Sequence, residues 1–190
     1  MNFLYHFGEL WRIMENSLVF GDLQLPRKKL LFLHGWSSNG GRKAMYLWSL
    51  GYDVRRPKLP SLSFRRAVQM AQQDQDEFRP DVIVGSSRGA AVAMSLENNQ
   101  TPLVLLAPAW RFFGVEPRLR STNAVVIHSP HDRLVPILDS VKLCRRNPGA
   151  HLVEAGEGHR LNDLDARRAL KDALAMLTHW PTDQARTKSF

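Results

Sequence analysis

Six short runs, most of them nearly continuous in apolar character, recur along this chain, with segments of helix length between most of them and after the last. The runs are 29–34 (KLLFLH), 52–56 (YDVRR), 81–85 (DVIVG), 102–107 (PLVLLA), 124–128 (AVVIH) and 151–155 (HLVEA). Continuous rather than alternating apolar character belongs to strands covered on both faces. The intervening segments 41–51, 64–78, 88–98, 137–146 and 162–177 are of crossover-helix length, and the last repeats leucine at helical intervals through Leu164, Leu170, Leu174 and Leu177. Strand alternating with helix predicts an α/β fold, a mostly parallel sheet of about six strands with helices on both faces. With 44% apolar and 23% charged residues among 190, the chain suffices for one such domain. That domain is expected over 29–180, after an extension of uncertain role at 1–28 in which Met14 is an alternative start, and before a frayed tail at 181–190.

In open parallel sheets ligands bind beyond the carboxyl ends of the strands, so the loops that follow strands are where chemistry is expected. Three of them carry reactive groups. After the third run comes Gly85-Ser86-Ser87-Arg88-Gly89, a G-x-S-x-G match that leads directly into the small-residue helix RGAAVAMSL. That strand–turn–helix context is what a nucleophile elbow requires: the serine sits on a strained turn, and side chains at the two glycines would collide with neighbouring elements. After the fifth run, Asp132 lies in HSPHDRLVP, placed to accept from an imidazole. A rival reading makes His128, His131 and Asp132 metal ligands, but no fourth ligand is apparent; no metal and no cofactor are expected. After the sixth run, the glycines of Gly156-Glu157-Gly158-His159 let the chain double back and present His159 over the sheet. Ser87, Asp132 and His159 stand in serine–acid–histidine order, separated by 45 and 27 residues, room in each case for a strand and a helix.

With these residues in view, the stretch from about 29 to 180 resembles the α/β-hydrolase superfamily, in particular its small, lidless, esterase-like serine hydrolases. LFLHGW, GSSRG, the HDRLVP loop and GEGH carry the resemblance. It implies the three-layer α/β-hydrolase fold, with Ser87 as nucleophile, His159 as base and Asp132 orienting it. It also implies an oxyanion hole from the backbone N–H of Trp36, or of Ser37, together with that of Arg88, while His34 and Gly35 shape the turn. The expected reaction is acyl transfer from a small carboxylic ester or thioester to water through an acyl-enzyme. Peptidase activity, and a non-catalytic binding or scaffold protein on the same fold, are the alternatives.

The segment between the fourth and fifth runs is too short for a large helical cap, which predicts an open pocket. Trp110, Phe112 and Phe113 either line it with Trp36 and Leu134 or pack beneath the loop. Arg88, Arg111 and the Arg55, Arg56, Lys58 segment are placed to bring positive charge to its rim, which predicts preference for acyl substrates bearing carboxylate or phosphate. The net charge is +8, yet the basic residues are scattered in pairs without a dense tract, zinc spacing or aromatic interleaving, so a small-molecule acyl substrate is expected and nucleic acid is not. No apolar run approaches membrane-spanning length and the opening residues make a poor signal peptide, so no membrane insertion is expected. The single cysteine, Cys144, allows no internal disulfide and reads as a structural thiol, in keeping with a cytoplasmic protein. Oligomeric state is not legible.

Overall fold

The computed structural model describes residues 27–36, 41–97 and 100–178. Residues 1–26 of the expected extension, Met14 among them, lie outside the described residues, as do Ser37 and the expected tail at 181–190. Six strands, β1 (Lys29–Leu33), β2 (Asp53–Arg55), β3 (Val82–Ser86), β4 (Leu103–Leu106), β5 (Ala124–His128) and β6 (Ala150–Glu154), form one sheet in the order β2-β1-β3-β4-β5-β6. Every pairing is parallel. The helices are α1 (Gly41–Ser49), α2 (Phe64–Phe78), α3 (Arg88–Met94), α4 (Ile137–Arg146) and α5 (Leu164–Thr178), with a 3-10 turn at Trp110–Phe113. This is the predicted three-layer α/β architecture, with the sheet wholly parallel.

Side-chain alternation along each strand divides the core into two layers. Leu31, Leu33, Ile83, Leu105 and Val126 face one way, against Ala67 and Ala71 of α2, the alanines of α3 and Leu143 of α4. Leu30, Phe32, Val84, Val104 and Ile127 face the other way, against Leu47 of α1 and Ala166, Leu170 and Leu174 of α5. The strand order changes direction between β1 and β3, where the chain has crossed to β2 and returned. Crevices in doubly wound sheets open at such points.

α3 lies unusually close to the sheet because its inner face carries almost no side chain. A Cβ at Gly89 would sit 2.0 Å from the carbonyl oxygen of Leu33, and one at Gly85 would sit 2.6 Å from the Cα of Ala90. Both contacts are with backbone, which cannot swing aside. Gly35, by contrast, would place a Cβ 3.4 Å from its nearest neighbour, the Ser86 carbonyl oxygen. Gly89→Ala is therefore expected to cost about 3 kcal/mol of stability through overpacking, measured by urea denaturation.

Candidate active site

The turn between β3 and α3 holds Ser87 at φ 54° and ψ −115°, a conformation that a residue with a side chain adopts only when its surroundings impose it. Here the Ser87 N–H donates to Leu106 O at 2.7 Å, while its carbonyl accepts from Ala90 N and Ala109 N. The backbone is thus fixed from β4 on one side and from α3 on the other, and the hydroxyl projects above the sheet edge.

His159 arrives from the loop after β6. Gly156 turns that loop at φ 88°, its N–H donating to Asp165 Oδ2 and its carbonyl accepting from Ser129 Oγ at 2.6 Å. Glu157 N donates to Asp163 Oδ2. The imidazole presented in this way has Nε2 2.8 Å from Ser87 Oγ and Nδ1 2.7 Å from Asp132 Oδ2. The Asp132 side chain is wholly buried and that of His159 is 17% exposed. Burial alone would raise the Asp132 pKa. The N–H groups of Val135 and Leu134 on Oδ1 and the imidazole on Oδ2 more than offset it, holding the carboxyl below the usual carboxylate range. An ionised Asp132 can only accept, so Nδ1 of His159 carries the hydrogen and Nε2 is left free to accept from Ser87.

A second histidine reaches the same carboxylate. His128, fully buried at the end of β5, stands with Nε2 3.0 Å from Val135 O and 3.1 Å from Asp132 Oδ2, and with Nδ1 2.6 Å from Ser140 Oγ of α4. Because Nε2 faces only acceptors it bears the hydrogen, directed at the carbonyl with the carboxylate beside the line, and Ser140 donates to Nδ1. Desolvation lowers the His128 pKa despite the nearby Val135 carbonyl and Asp132, which favours this neutral form. The sequence places His128 at a buried strand end, and no local pattern there marks its contact with Asp132. His131 is exposed, its backbone N–H bonded to Ser129 Oγ, and among the described residues no group of three His, Cys, Asp or Glu is arranged to hold a metal ion.

No family model matches this chain, and no curated protein matches it. Solved structures do. A Xanthomonas campestris pv. campestris protein assigned to the alpha/beta hydrolase superfamily superposes with a TM-score of 0.60 at 20% identity, over 80% of this chain and 97% of its own. The esterase domain of a Rhodothermus marinus protein gives 0.59 at 19% identity, over 82% and 87%. An esterase from Exiguobacterium antarcticum gives 0.63 at 14% identity, over 80% and 91%. The chain has the α/β-hydrolase fold.

As the α/β-hydrolase fold leads one to look for, a cleft lies over the serine, here of about 790 Å³. Ser87 and His159 open into it, as do Trp36, Phe112, Phe113 and Leu134. Phe113 stacks on Phe64 at 4.9 Å and meets Trp36 at 5.9 Å. Trp110 is a correction: it is buried in the core and absent from the cleft wall, with its indole N–H donating to Asp139 O at 3.2 Å. A large ring with one polar atom is stable inside when that atom finds a carbonyl. The turn at His34 is shaped as expected, its Nε2 accepting from Leu59 N and its Nδ1 donating to Gly35 O, which fixes the backbone leading to Trp36.

The rim charges also need correcting. Arg88 is 2% exposed, and its guanidinium donates to the carbonyls of Pro60 and Ser63 beside the rings of Phe64 and Phe113. Arg111 pairs with Asp139, Arg55 with Asp74 and Glu77, and Arg56 and Lys58 lie outside the cleft wall. The cations that do border the cleft besides Arg88 are Arg42, Lys43 and Arg160, none of which the sequence reading singled out. Lys43 reaches from α1 to the His159 loop, donating to Arg160 O and to Asn162 Oδ1, the latter at 2.8 Å. Burial first, then repulsion from Arg167 and Arg42, lowers its pKa from 10.5 to about 8. The folded protein therefore holds this proton less tightly than the unfolded chain. Unfolding takes up a proton between pH about 8 and 10.5, and stability rises with pH through that window. The stability of the wild type relative to Lys43→Met is expected to be greater at about pH 9.5 than at about pH 7.5 in urea titrations.

Proposed function

We propose that this protein is a serine hydrolase that cleaves small carboxylic esters or thioesters through an acyl-enzyme, with carboxylesterase activity foremost. The observation that carries the reading is the unbroken line of hydrogen bonds from Ser87 Oγ through His159 to Asp132, at 2.8 and 2.7 Å. Esterases from Rhodothermus marinus and Exiguobacterium antarcticum that share the fold support it by analogy.

Ser87 Oγ attacks the ester carbonyl as its proton passes to His159 Nε2. Asp132 keeps the imidazole in the tautomer that can take this proton and stabilises the cation that results. The negative charge on the tetrahedral intermediate falls between the backbone N–H groups of Trp36 and Arg88, each such donor being worth about 3 kcal/mol in esterase-type chemistry. Collapse breaks the bond to the leaving alcohol or thiol, which takes the proton from His159 and departs. Water then loses a proton to His159 and attacks the acyl carbonyl, and Ser87 leaves reprotonated as the acid is released. His128 is a positioning residue, its Nε2 bracing the same Asp132 oxygen that His159 meets.

Ser87→Ala is expected to abolish both the hydrolysis of p-nitrophenyl esters and covalent capture by a fluorophosphonate probe. Capture undiminished in that variant would refute the assignment. His128→Phe removes one N–H from the carboxylate's surroundings and is expected to lower kcat about tenfold with little change in KM. His128→Gln, which restores a donor, is expected to recover part of the loss.

A further inference from the structure

The two walls of the cleft differ in chemistry, and the difference follows the two layers of the core. Phe112 and Phe113 belong to the 3-10 turn, which packs with α2, α3 and α4 on one side of the sheet, and Trp36 meets Phe113. Arg42 and Lys43 open α1, and Arg160 and Asn162 lie in the loop leading into α5, the helices of the opposite layer. Lys43 ties these two segments together through Arg160 O and Asn162 Oδ1. Arg42 and Arg160 are exposed, and among the described residues neither has a carboxylate at ion-pair distance. Among the described residues no Asp or Glu lines the cleft, although four cationic residues do; Asp132 lies behind His159.

We propose that the ester hydrolysed here is amphipathic: its apolar part lies against Trp36, Phe112 and Phe113, and an anionic substituent, a carboxylate or a phosphate, lies against the α1–α5 wall beside Arg42 and Arg160. This rests on the hydrolase reading of Ser87. An apolar wall stabilises by excluding water, and a pair of unpaired guanidinium groups offers forked donors that match either oxyanion. The lowered pKa of Lys43 fits the same picture, since repulsion from Arg42 contributes to it and a bound anion would relieve that repulsion. Arg88, Arg111 and Arg55 are engaged elsewhere and Arg56 and Lys58 lie outside the cleft wall, so selection falls to Arg42 and Arg160.

The test compares kcat/KM for the p-nitrophenyl ester of hexanoic acid, the p-nitrophenyl half-ester of adipic acid and a p-nitrophenyl acyl ester ending in a phosphomonoester. The wild type is expected to favour at least one anionic ester over the neutral one by about tenfold, less so as salt is added, and the more favoured of the two identifies the group. Arg42→Gln and Arg160→Gln are each expected to lower the anionic-to-neutral ratio by about fivefold, the upper range for a single exposed charge. Fluorophosphonate capture at Ser87 in every variant confirms an intact fold and tests the hydrolase reading separately. Failure to capture in the wild type removes that reading, and this inference with it. Capture with an anionic-to-neutral ratio near or below one, or a ratio unmoved by both substitutions, overturns the amphipathic substrate while leaving the hydrolase standing.

Discussion

The contact on which the candidate active site depends is made by backbone alone. α3 meets the end of β1 with only the hydrogen of Gly89 between the helix and the Leu33 carbonyl, and this brings the turn at Ser87 down onto the carboxyl edge of the sheet. Once that turn is fixed by Leu106 O on one side and by Ala90 N and Ala109 N on the other, the direction of the Ser87 Cα–Cβ bond is set. The unfavourable φ of Ser87 is tolerated because three elements hold it at once, and β3, β4 and α3 are among the most thoroughly buried parts of the molecule.

Around this fixed point the remaining groups are delivered by loops that are tightly tied. Asp163 and Asp165 hold backbone N–H groups at 157 and 156, Ser129 holds the Gly156 carbonyl, and Lys43 holds the carbonyl of Arg160. The His159 loop is therefore cross-linked to β5, α1 and α5 before any ligand arrives. Preorganisation of this kind lets hydrogen-bonding groups act on a substrate without first being ordered.

Much of this was legible in the sequence, and the reasons differ by element. β5 and α2 match their expected bounds because a continuous apolar run ending in HSPHD and an amphipathic run opening at Ser63 each carry their own start and stop signals. α3 ends at Met94, short of the expected 98, where Ser95 turns its N–H to the Val92 carbonyl. The agreement of three strand-following loops, one of them a G-x-S-x-G turn, was enough to nominate Ser87, Asp132 and His159. What was not legible was orientation. Trp110 and Phe112 are neighbours of similar character, and only packing sends one inward to the Asp139 carbonyl and the other to the cleft. Likewise a list of arginines does not say which will be neutralised: Arg88 is buried against carbonyls and Arg111 meets Asp139, whereas Arg42 and Arg160 stay free of carboxylates among the described residues. Lys43 and His128 act across gaps in sequence, or through a strand end, that no local pattern marks.

The crowding around Asp132 has a consequence for how this position can vary. Its two oxygens face four N–H groups, those of Leu134 and Val135 on one side and the ring nitrogens of His159 and His128 on the other. An asparagine has the same shape, but one end of its amide is itself a donor. Turned with its amide nitrogen toward the rings, it would draw His159 into the tautomer that carries hydrogen on Nε2 and accepts at Nδ1, so that Nε2 could no longer accept from Ser87. The smallest step away from aspartate thus leaves the outline of the site in place and reverses the direction of the hydrogen bond to Ser87.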